Sequence, residues 1–288
     1  MAANKTLRAV PLTCSGHTRP VMEIAFSDMT DEGYFLASAC KDFKPMLRRG
    51  ETGDWVGTFE GHSGAVWGVA INHDASLVAT AAADFTAKVF DAVTGAMLLE
   101  LSHPHIVKSV AFNHDSTLLA TGCNDGHIRI MTLARSNTSL AAINEESFKL
   151  HKSLIRKVLF VGENSEYIVE RPSPSPCRGD DLLLDFPALF ARLILPASAK
   201  LMPLHTPALS AALVPALDRL VWVGEANLVV ECTADGTVQH QHKAHFGTIH
   251  CVRFSPDHQL FATCAEDSTI RLWPTFVGNN YGLWQYQQ

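Results

Sequence analysis

The chain has 288 residues, 47% of them apolar and 18% charged, with a formal net charge of −6 at pH 7. That balance describes a folded globular protein long enough for one large domain or two ordinary ones, not a disordered chain. The acidic excess disfavours direct binding to nucleic-acid phosphates, which calls for a basic surface. Seven scattered cysteines with no CxxC pair fit neither a disulfide framework nor a four-thiolate zinc site.

The N-terminal residues lack the apolar core of a signal peptide. The apolar stretch 182–217 is broken by Asp185, Arg192, Lys200 and several prolines, so it does not read as a membrane span. We expect a cytoplasmic and nuclear protein with reduced thiols and no membrane insertion.

Taken in chain order, one unit recurs. A histidine followed by an alternating apolar strand appears at His17 (GHTRPVMEIAF), His62 (GHSGAVWGVAI), His105 (HIVKSVAF), His151 (HKSLIRKVLF) and His245 (AHFGTIHCVRF). The first three gaps are 45, 43 and 46 residues, and the last spans two such periods. A repeat of about 40–45 residues built from short strands is the signature of a β-propeller. The expected fold is all-β and a single domain. Its blades fall at about 14–57, 58–100, 101–145, 146–170 (partial), 218–242 and 243–288.

Each unit also keeps an internal phase. Ser38, Thr80, Thr121 and Thr263 stand four residues before Asp42, Asp84, Asp125 and Asp267. Six residues after these aspartates come Arg48, Phe90, Met131 and Trp273. The pattern resembles the His–Ser/Thr–Asp–Trp tetrad of WD repeats, in which the aspartate caps a turn, the histidine reaches it, and the indole extends the network. We assign His17, Ser38 and Asp42; His62, Thr80 and Asp84; His105, Thr121 and Asp125; and His245, Thr263, Asp267 and Trp273 to it. One histidine per blade cannot converge on a single ion, so no metal or other cofactor is expected. His240 and His242 share a strand face and form at most an adventitious site.

The fourth unit begins with IRKVLF and EYIV, then loses its pattern. Eight of the fourteen prolines lie between Pro172 and Pro215, and proline is confined to edges and bulges in sheets. Residues 171–217 are expected to be an irregular segment that replaces most of one blade. A real insertion, a disordered loop and a misread coding segment all remain open as its origin. Order returns at DRLVWVGEANLVVECTADGTVQH (218–240). Residues 7–13 and the terminal YGLWQYQQ are expected as edge strands that close the ring.

No P-loop, GxSxG or HExxH motif occurs, and the Ser, His and Asp residues are absorbed by the repeat, so an enzyme is not expected. Contact with other proteins is the better reading. Arg19, Arg48, Arg49, Trp67 and Phe85 are the candidates, because Trp and Arg dominate interface hot spots. Trp55 and Phe43 also stand out. Lys41, Lys44, Arg156 and Lys157 read as a solvated face.

Several stretches resemble the serine/threonine kinase receptor-associated family of WD-repeat proteins, which includes the unr-interacting protein. They are PLTCSGHTRPV, GYFLASACKD, KPMLRRGETGDWVGTFEGHSGAVWG, ATAAADFTAKVFDAVTG, HFGTIHCVRFSPD, EDSTIRLW and VGNNYGLW. The resemblance covers about 11–135 and 218–284 and is absent from 172–215. It implies a nominally seven-bladed, non-catalytic scaffold, monomeric within a larger assembly. The partners it implies are the SMN and Gemin proteins of spliceosomal snRNP assembly and pre-mRNA splicing, TGF-β-type receptor kinases with an inhibitory Smad, and a cold-shock-domain RNA-binding protein. The propeller subunit of eukaryotic initiation factor three carries similar motifs and is the alternative.

Overall fold

The computed structural model describes residues 10–135, 139–149, 155–161, 167–172, 183–185, 208–233, 236–243 and 245–276. These residues form six antiparallel sheets, five of them four-stranded. The first holds β2 (Val21–Phe26), β3 (Phe35–Cys40), β4 (Met46–Arg49) and β5 (Trp55–Thr58), preceded by the short strand β1 (Leu12–Cys14). The second holds β6 (Val66–Ile71), β7 (Leu77–Ala82), β8 (Thr86–Asp91) and β9 (Met97–Ser102). In the third are β10 (Val107–Phe112), β11 (Leu118–Cys123), β12 (His127–Arg135) and β13 (Leu140–Lys149).

The fourth sheet has three strands, β14 (Ile155–Val161), β15 (Tyr167–Pro172) and β16 (Leu183–Asp185). The fifth comprises β17 (Ala208–Val214), β18 (Arg219–Gly224), β19 (Leu228–Cys232) and β20 (Val238–Lys243). The sixth comprises β21 (Ile249–Phe254), β22 (Leu260–Ala265) and β23 (Ile270–Pro274), and β1 pairs with β23 as its fourth strand. Each sheet is a blade, and the fold is a WD-repeat β-propeller. A seventh sheet has no counterpart among the described residues.

Two sequence expectations change here. The irregular segment is shorter than 171–217, because Ala208–Val214 pairs with β18 and Leu183–Asp185 pairs with β15. In ALSAALV, residues 208–214, the small and apolar side chains suit a strand between two sheets, a pattern hidden by the prolines before it. The ring-closing strand is Leu12–Cys14 rather than 7–13, so Pro11 lies just outside the ladder, where its missing N–H costs nothing. Residues 281–288, expected as an edge strand, lie outside the described residues.

The apolar core sits between successive blades. Leu36, Cys40 and Ile24 of the first sheet pack with Leu260, Cys264 and Leu272 of the sixth. Ala37 and Leu47 face Val69, Val78 and Phe90 of the second sheet, and the pattern continues to the third. The strand faces are buried on both sides, which explains the continuous apolar runs LVATAA and LFATCA in β7 and β22. Six described cysteines are buried free thiols.

The inner strands β2, β6, β10, β14, β17 and β21 share one irregularity. Each shifts register at its second residue, which places Met22, Trp67, Lys108, Arg156, Leu209 and His250 in a β-bulge. A bulge re-aims the extra side chain and bends the strand. The residue after it then reaches the next sheet. Glu23 accepts from the Val69 N–H at 3.3 Å, Ser109 from Val158 at 3.1 Å, and Ser210 from Val252 at 3.2 Å. Gly68 holds the same place between the second and third sheets, where a Cβ would come within 2.9 Å of the Lys108 carbonyl oxygen.

The closure by β1 carries a measurable share of stability. Leu12 and Cys14 join the core between the first and sixth sheets, a burial on the order of 2–3 kcal/mol. Deleting residues 1–14 is expected to lower the melting temperature by about 5–10 °C. A melt unchanged by the deletion would exclude closure through this strand.

Candidate functional site

The bulges, the histidine loops and the aspartate turns all lie at the same end of the inner strands, so one face of the propeller carries them. In the sixth sheet the donor chain is complete. Trp273 Nε1–H donates to Thr263 Oγ1 at 3.0 Å, and the Thr263 hydroxyl lies 2.8 Å from His245 Nε2. His245 Nδ1 lies 3.0 Å from Asp267 Oδ2. A carboxylate only accepts, so Nδ1 carries the proton, Nε2 accepts from threonine, and the chain has one consistent direction. Asp267 also accepts from the backbone N–H groups of Phe246 and Thr269.

The first two sheets repeat this without the indole. His17 Nδ1 meets Asp42 at 2.9 Å and its Nε2 meets Ser38 Oγ at 2.8 Å. His62 meets Asp84 at 2.8 Å and Thr80 at 2.7 Å. In the place of Trp273, Phe90 of the second sheet lies fully buried, edge-on to the His62 ring.

The third sheet departs from the sequence assignment. The histidine on Thr121 is His103, at 2.8 Å, and not His105, whose Nδ1 instead accepts the Ile106 N–H. His103 stands 18 residues before its threonine, as His62 and His245 do, and that shared spacing would have selected it. Its Nδ1 donates to the Leu101 carbonyl, leaving Asp125 to Arg129 at 2.6 Å. His151 lies outside the described residues.

These contacts set the charge states. Burial holds the His62, His103 and His245 imidazoles below their ordinary value of 6.5, although Asp84, the Leu101 carbonyl and Asp267 pull the other way. Burial alone would raise Asp42, but hydrogen bonds from His17, Cys40 and Thr18 outweigh it and hold the carboxyl at about 2.

His17, Cys40 and Asp42 bring ligand atoms within 4.8 Å of one another. Both His17 nitrogens are already engaged, and burial pushes the Cys40 thiol up to about 12. A metal would have to break the network, so these residues do not fit one. His242, near His240, is held by Glu231 at 2.9 Å and lies against Trp273.

The contact candidates separate. Arg48 is a correction: it is 4% exposed, and its guanidinium donates to the carbonyls of Ser15 and Gly53 inside the first blade. It fills the tetrad indole's place and satisfies backbone acceptors, so it is unavailable to a partner. Arg49 is exposed, donates to the Glu32 carbonyl and lies over Phe35. Arg19 is exposed beside Phe43, with 6.0 Å between guanidinium and ring centroid. Phe85 is 45% exposed at φ 68°, and Phe43 is 38% exposed at φ 72°. Trp55 is exposed on the outer strand of the first sheet.

Trp67 is half-buried, with Lys108 Nζ at 2.9 Å and Lys41 Nζ at 5.6 Å from its ring centroid. Burial, with the neighbouring charges of Arg156 and Lys41, pushes the Lys108 ammonium down to about 8. Lys157, expected on a solvated face, instead points inward and pairs with Glu23 of the first sheet, which Arg253 of the sixth approaches at 3.5 Å. Sequence reasoning missed Lys108 and Phe246, the latter 86% exposed directly after His245. The signal for Lys108 was its place beside Trp67 and Arg156 when the inner strands are aligned.

The repeat is matched independently. The WD40 model, described as WD domain, G-beta repeat, matches residues 53–91, 96–130 and 232–274. The chain is 42% identical to the serine-threonine kinase receptor-associated protein of Gallus gallus over 97% of its own length and 86% of the relative's. The chain belongs to this family. The Dictyostelium discoideum serine-threonine kinase receptor-associated protein is 34% identical over 91% of the chain and 98% of its own length. By contrast, eukaryotic translation initiation factor 3 subunit I of Caenorhabditis briggsae matches at 35% over only 99 residues, 34% of this chain. Within the receptor-associated family the chain is a WD-repeat scaffold, and its tetrads are what hold the loops of the scaffold face in place.

Two predictions follow the geometry of that network. Thr263→Val orphans both His245 Nε2 and the Trp273 indole, and is expected to cost about 3 kcal/mol; Thr121→Val orphans only His103 Nε2 and costs about half that. Urea denaturation of the two variants measures the difference, and equal costs would contradict the donor chain.

The pH dependence has a definite sign. The unfolded histidines take up protons near 6.5 while the folded ones resist, so stability falls as pH drops below about 6.5. Asp42 adds a contribution that is full above about 4 and is lost as pH falls through about 2. Urea midpoints that stay flat from pH 7.5 to 5 would overturn the histidine part.

Proposed function

We propose that this chain is a non-catalytic scaffold of the SMN complex in spliceosomal snRNP assembly, and that it also dampens TGF-β-type receptor signalling. The observation that carries this reading is family membership along 97% of the chain. The similarity to the initiation-factor subunit stops at about a third of it. The relatives' name places them with a serine-threonine kinase receptor, which supports receptor kinases, with an inhibitory Smad, as partners. SMN and Gemin proteins and a cold-shock-domain RNA-binding protein complete the proposed set.

Absence of catalysis is part of the proposal. The Ser, Thr, His and Asp side chains that might act as nucleophile and base are buried and bonded to one another. Partners reach RNA on the scaffold's behalf, in the cytoplasm and nucleus, which agrees with a net charge of −6.

The test is a tagged pull-down from cell lysate with mass spectrometry, run with and without RNase. SMN, Gemin and Sm proteins retained after RNase are the expected result, with receptor kinase and inhibitory Smad recovered from stimulated cells. Recovery of initiation-factor subunits in their place would overturn the assignment.

A further inference from the structure

We propose that the channel mouth formed by Trp67, Lys108 and Arg156 is a receptor for carboxylate side chains on an acidic segment of a partner protein. The proposal rests on reading the chain as a partner-binding scaffold and names the chemistry of one of its contacts. These three residues come from three successive sheets. All three occupy the bulge position of an inner strand, which turns their side chains out of the ladder at the same end of the propeller.

The charges there are unbalanced. Several other buried or partly buried cations have carboxylate partners: Lys88 has Glu100, Lys157 has Glu23, Arg219 has Glu231 and Arg129 has Asp125, while Arg48 is satisfied by two carbonyls. Lys41 at the edge of the mouth leans on Glu266. Among the described residues neither Lys108 nor Arg156 has such a partner, although the chain carries more acidic than basic residues. Like charges gathered around a half-buried lysine oppose its ionised form, and an anion placed between them relieves that cost.

The surroundings favour a peptide over a nucleic acid. The Trp67 ring backs the mouth and carries the Lys108 ammonium against its face, and its buried indole Nε1 has no acceptor among the described residues. Phe43 and Phe85 add exposed aromatic surface on the same face. Glu266, held by Lys41 at the edge of the mouth, and the acidic excess of the chain disfavour a continuous phosphate backbone. One or two carboxylates on a chain with apolar neighbours fit an island of this size.

A fluorescein-labelled octapeptide with two Asp residues set among Leu and Ser is the probe, read by fluorescence anisotropy at low and moderate salt. Wild-type protein is expected to bind it in the micromolar range, more weakly as salt rises, and to ignore the analogue with both Asp residues replaced by Asn. The double variant Lys108→Gln/Arg156→Gln is expected to lose at least about tenfold in affinity, or 1.4 kcal/mol. Because Lys108 is partly buried, Arg156→Gln alone serves as the folding-neutral variant, with a loss of several-fold. Lys243→Glu, exposed on the outer strand β20, leaves binding unchanged.

Equal binding by wild type and the double variant would overturn the proposal, as would no binding up to 1 mM. Tighter binding of an octauridylate than of the peptide would overturn it too. If the peptide fails while SMN or receptor partners still co-purify, the mouth is not an acidic receptor and the scaffold reading stands. Peptide binding lost in the double variant, with none of those partners recovered from wild type, supports the mouth and removes the named partners.

Discussion

The bulge at the second residue of every inner strand is the constraint from which much of this molecule follows. Each inner strand has a ladder partner on one side only, so half of its backbone groups look outside their own sheet. A buried N–H among them needs an acceptor, and the residue that follows the bulge of the adjacent inner strand lies within reach of it. Glu23, Ser109 and Ser210 supply it. The bulge itself sends the extra side chain to the channel mouth. The inter-blade bonds and the side chains at the mouth thus occupy consecutive positions on the same strands.

The tetrads belong to a second level of organisation, within blades. In the four sheets where they are seen, two links are constant, histidine to hydroxyl and a sink for the other imidazole proton. In the sixth sheet the sink is Asp267, and in the third it is the Leu101 carbonyl. Once His103 turns to a carbonyl, Asp125 needs a cation, and Arg129 provides it. The position filled by Trp273 in the sixth sheet is free to change because its partner hydroxyl is already satisfied elsewhere. Phe90 fills the space with apolar bulk, and Arg48 fills it with a guanidinium that serves two carbonyls.

What the sequence revealed divides along these lines. The period, the aspartate turns and the hydroxyls were legible, because each depends on a residue type at a fixed place in a repeat. His103 was misread as His105 because the motif HPH offers two imidazoles, and only the 18-residue distance to the threonine separates them. Arg48 read as a contact because arginine is usually exposed; its burial depends on the Ser15 and Gly53 carbonyls, which no local pattern signals. β17 was hidden since proline-rich flanks masked a strand whose partner, β18, comes after a short turn. Lys157 was illegible for another reason. Its partner Glu23 is 134 residues away, joined only by the curvature of the ring.

The turns that follow the tetrad aspartates bring structure and function into contact. The residue after each aspartate sits at positive φ in four sheets: Phe43, Phe85, Gly126 and Ser268. Glycine meets that demand freely, whereas an L-residue with a side chain costs about 1–2 kcal/mol there. The third sheet takes glycine. The first and second take phenylalanine and leave it exposed, so the ring contributes little to the core in return. Strain without compensating burial is the mark of a residue kept for what it touches. Both phenylalanines lie on the face that bears Trp67 and Lys108, and Arg19 flanks the first of them. Among the described residues, exposed aromatic and cationic groups of this face gather over the first three sheets, with Phe246 beside the sixth. A partner gripping that side has its contacts on blades whose tetrads and inter-blade bonds are laid out above, and the three-stranded fourth sheet need contribute no more than Arg156 from its inner strand.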